Sequence, residues 1–62
     1  MNTNDIIKAF RMLHFIVDEN STLTQWQAAA NTVRETFGLE IALHVVTRSA
    51  ACPYLPASFD WT

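Results

Sequence analysis

A chain of 62 residues has room for one domain with a thin core, because short chains bury a smaller share of their surface. Half of its residues are hydrophobic and only 16% are charged, which excludes a disordered polar chain and leaves more apolar side chains than so small an interior absorbs. Four basic residues against six acidic ones give a net charge of −2, which argues against a phosphate-binding surface.

A single cysteine forms no internal disulfide, and no Cys/His pairs stand at zinc-site spacing. The start, Met1 to Asp5, lacks the positive charge of a signal peptide, and Lys8 and Arg11 interrupt the apolar stretch behind it. No run has the length of a membrane span. The expectation is a reducing, cytoplasmic setting away from the membrane, in which Asn20-Ser21-Thr22 serves as a turn and not as a glycan acceptor.

The first predicted element is a helix over about 5–18. Asn4 is placed as its N-cap, with Asp5 complementing the helix dipole. Ile6, Ala9, Phe10, Leu13, Ile16 and Val17 share one face at helical spacing, with Lys8, Arg11, His14 and Asp18 opposite. Ile7 and Phe15 fall on that polar side, and Met12 lies at its margin. Asp18 and Glu19 oppose the dipole at the far end, and Asn20 is read as a left-handed terminator.

The second helix, over 23–37, carries the clearest local signals. Leu23, Trp26, Ala30, Val33 and Phe37 alternate at intervals of three and four, the seam of a helix packed on a neighbour. Two capping boxes compete at its start, Thr22 with Gln25 and Thr24 with Gln27. Gly38 stands where a C′ glycine belongs, with Leu39 positioned to close a Schellman motif. The short link predicts an antiparallel helical hairpin.

Beyond Gly38 the period changes. Leu39, Ile41, Leu43, Val45 and Thr47 alternate with the residues between them, and several are β-branched, so a strand is predicted over about 39–48. A third helix over 40–51 is the rival, since Ala42, Val45, Val46 and Ser49 also form a helical stripe. The expected class is therefore α+β, with an all-α three-helix fold as the alternative. An irregular aromatic tail follows Pro53, able to return beside the strand; the strand's other available partner is its copy in a second subunit.

Chemistry is sparse. Cys52 has no spacing that brings it to His14 or His44 and Asp60 as nucleophile, base and orienting acid. The same four residues stand singly, whereas zinc ligands come in close pairs. Asp18 and Glu19 are adjacent and diverge on a helix, Glu35, Glu40 and Asp60 have no acidic companion, and one glycine makes no phosphate loop. No enzyme activity, cofactor or metal is expected.

What remains is surface. Ile7, Met12 and Phe15, on the wrong side of the first helix, and Tyr54, Phe59 and Trp61 in the tail form the candidate interface. They suggest a homodimer that binds and modulates another protein, a style common among small phage and mobile-element products. A structural subunit of a larger complex is the second reading. Nucleic-acid binding through Lys8, Arg11 and Arg34 is a minor third.

Overall fold

The computed structural model describes residues 1–61, and its element order is α1 (Thr3–Ile16), α2 (Leu23–Phe37), α3 (Leu39–Arg48) and a short 3₁₀ turn, η1 (Pro56–Ser58). The three helices pack pairwise, and η1 lies against α3. The segment expected to be a strand is helical, so the fold is all-α and no strand occurs among the described residues. Neither strand pairing with the tail nor strand pairing across a dimer axis applies.

The correction has a physical cause. Ile41, Ala42, Val45 and Val46 are the buried residues of this segment, at helical spacing, while Leu39 and Leu43 of the period-two set are exposed. Ile, Val and Thr fit a pleated surface only where neighbouring strands receive them. This chain has none to offer, and its apolar α1 and α2 faces need a third cover. Leu39, Glu40, Ala42 and Leu43 are good helix formers, so local preference does not resist that outcome.

Gly38 makes the junction possible. Its N–H donates to the Arg34 carbonyl at 2.8 Å, closing α2, and its own carbonyl accepts from Ala42 N–H at 3.1 Å, opening α3. One residue thus ends one helix and begins the next, at φ 99° and ψ 159°. That conformation is open to glycine and strained for L-residues. It is also not the left-handed helical geometry of a Schellman cap, so the expected closure by Leu39 is replaced by an abrupt turn.

At α1 both boundaries shift by two residues from those read in the sequence. Asn2, not Asn4, is the N-cap, its side-chain oxygen accepting from Asn4 N–H at 2.8 Å. The helix ends at Ile16 because Val17 turns extended and buries its side chain in the core. Asn20 is not left-handed, since no non-glycine residue has positive φ. The turn is instead held by Asp18, whose carboxylate accepts from Asn20 N–H at 2.8 Å, and by Ser21, whose hydroxyl accepts from Asp18 N–H at 3.0 Å. Ile16 and Leu23, both expected on packed seams, are exposed.

At the start of α2 the Thr22 box prevails. Gln25 N–H donates to Thr22 Oγ1 at 3.2 Å, and Thr22 N–H donates to Gln25 Oε1 at 2.7 Å. The core gathers Ala9, Leu13 and Val17, the α2 residues Trp26, Ala29, Ala30 and Val33, the α3 quartet, and Phe59 from the tail. Trp26 is fully buried, and its indole N–H donates to the Asp18 carbonyl at 3.0 Å, tying α2 to the preceding turn.

Candidate functional site

The tail is a structural element. Phe59 is 6% exposed and belongs to the core, so it leaves the set of surface candidates. Its ring meets Trp61 with centroids 5.7 Å apart, and the Trp61 indole N–H donates back to the Pro56 carbonyl at 3.0 Å. Tyr54 and Trp61 are both half-buried against the core. Two side chains one turn apart on α2 grip the backbone of Asp60. Gln27 Oε1 accepts its N–H at 2.8 Å, and Asn31 Nδ2 donates to its carbonyl at 2.7 Å. Asn31 also donates to the Gln27 carbonyl and accepts from Arg34 Nε at 3.1 Å, so its amide is fully used. No local sequence signal marks this clip, because its members lie far apart in the chain.

A second unforeseen contact joins α1 to the end of α3. His14 Nε2 and Ser49 Oγ lie 2.7 Å apart, and the Phe10 ring packs at 5.9 Å from the imidazole. A base beside a hydroxyl is half of a nucleophilic site. Here Ser49 is buried, no carboxylate orients the other ring nitrogen among the described residues, and no pocket opens beside the pair. The contact satisfies a buried hydroxyl and fastens two helices. Cys52 is half-buried and free, its thiol directed at the Tyr54 carbonyl at 3.3 Å. His44 bonds to Arg48 one turn later, and no three potential metal ligands converge among the described residues.

The remaining candidates lie on α1. Met12 is half-buried and packs against the core, whereas Ile7 is 43% exposed and Phe15 is 93% exposed. Arg11 stands one turn from each of Ile7 and Phe15, and Lys8 lies three residues before Arg11 and seven before Phe15, so the four share the outward face. Both cations are exposed, and neither has a hydrogen-bond or ion-pair partner among the described residues. Helical period alone places all four on one side of the first helix, although only the two apolar members were expected to form an interface.

No protein-family model, curated protein or solved structure matches the chain. No helix of the described residues is long and apolar enough to cross a membrane.

Proposed function

We propose that the protein is a non-enzymatic interaction module that acts by docking the outer face of α1 onto another protein, in the cytoplasm, where Cys52 stays reduced. The observation that carries this reading is Phe15, 93% exposed although the same helix supplies Ala9 and Leu13 to the core. A single exposed apolar side chain is ordinary on a protein surface. Phe15 is the most exposed large hydrophobic residue described, it shares its face with Ile7, and it sits where a polar residue would serve the helix as well or better. Burying such a ring on a partner contributes about 1.5–3 kcal/mol, the scale of an interface anchor.

Site-specific photocrosslinking tests the reading. A benzophenone amino acid at position 15, in cells making the full chain, should give a discrete protein adduct. The same probe at Thr32, exposed on α2, should give none. No adduct at position 15, or the same adducts from both positions, contradicts the proposal.

A further inference from the structure

We infer that the partner's docking surface is an acidic amphipathic helix, which seats Phe15 among apolar side chains and sets carboxylates against Lys8 and Arg11. This rests on the docking reading above and adds the chemistry of the occupant.

The charge on this face is one-sided. Lys8 and Arg11 are exposed and have no partner among the described residues, while the only acid of α1, Asp5, is half-buried on the flank and forms no ion pair with Lys8. Asp18, just beyond the helix, is already engaged by Asn20 N–H and the Ser21 hydroxyl. Two cations held one and two turns from an exposed aromatic ring set a register for carboxylates spaced along a facing helix.

The alternatives meet physical obstacles. A polyanion needs many neutralised phosphates, and this face has two cations on a chain of net charge −2. An anionic bilayer favours a helix rich in Lys and Arg, which α1 is not. A second copy docking through the same face would bring a second Lys8 and Arg11 into the one interface, four cations with no acid on that outward face to offset them. The self-complementary dimer expected from the sequence is therefore opposed on this surface by like charge.

Two synthetic helical peptides with identical leucine positions test the inference, one flanking its apolar stripe with glutamates and the other with lysines. Each is titrated into the full-length chain by fluorescence anisotropy, and amide resonances are followed in parallel. The glutamate peptide should bind at least tenfold more tightly, weaken as salt rises, and move resonances around Ile7, Lys8, Arg11 and Phe15. The double reversal Lys8→Glu with Arg11→Glu should transfer the preference to the lysine peptide, which a merely misfolded variant cannot do. Equal binding of both peptides, or preference for lysine by the unaltered chain, overturns the acidic partner and leaves the docking reading standing. Binding of neither, or resonance changes away from α1, overturns both. Tighter binding to phosphatidylserine vesicles or to an oligonucleotide than to the glutamate peptide, or concentration-dependent self-association through this face, also overturns the inference.

Discussion

Replacing Trp26 with Phe probes the join between α2 and the α1–α2 turn. The side chain is fully buried, and its indole N–H reaches the Asp18 carbonyl at 3.0 Å. Phenylalanine keeps most of the apolar contact but has no donor. The lost hydrogen bond costs about 0.5–1.5 kcal/mol. The low end applies, because the same carbonyl also accepts from Ser21 N–H at 3.1 Å and is not orphaned. The void left by the smaller ring adds about 1–2 kcal/mol, giving a total of about 1.5–2.5 kcal/mol. A domain of this length has only about 3–5 kcal/mol to lose, so the variant should sit close to its unfolding transition in plain buffer. Urea unfolding followed by helical circular dichroism measures the difference, with an unchanged slope expected if only the native state is affected. Trp61→Phe is the comparison, since that indole is half-buried and bonds within its own tail. A Trp26→Phe loss no larger than that of Trp61→Phe would refute the reasoning.

Two further substitutions test other joints. Gly38→Ala should destabilise by about 1–3 kcal/mol through backbone strain alone, because an added Cβ would meet nothing within 4 Å. D-alanine at the same position, accessible by chemical synthesis, should instead be neutral or stabilising, and equal effects of the two enantiomers in thermal unfolding would contradict the strain argument. Asn31→Ala should release the tail while the bundle holds. Amide hydrogen exchange should then speed up at 59–61 and stay slow in Ala29, Ala30 and Val33, and uniform acceleration would show that the clip is not local.

The parts of the fold legible in the sequence are those encoded by short-range chemistry. The α2 helix is written in consecutive residues, with a Thr22–Gln25 box at its start, a stripe centred on Trp26 and Val33, and a glycine at its end. The α3 helix is not, because its near-continuous apolar run fits a period of two as well as 3.6. The choice was made by the absence of a neighbouring strand and by the need to cover α1 and α2. Asn20 lost its expected role because the Asp18 and Ser21 side chains hold the turn without positive φ. Of the surface candidates, Ile7 and Phe15 followed from helical phase alone. Phe59 could not be placed, since its burial depends on Gln27 and Asn31 reaching across the fold to Asp60. The pairing of His14 with Ser49 is equally long-range, and nothing in the spacing announces it.

The proposed function requires the outer face of α1 to be dispensable to the fold and kept for a partner. Denaturant unfolding of Phe15→Glu, by urea and circular dichroism, addresses that most directly. The ring is 93% exposed, so the variant should unfold within about 0.5 kcal/mol of the unaltered chain, as surface substitutions do. A loss of about 2 kcal/mol or more would place Phe15 in the structural core and remove the face on which the proposed function depends.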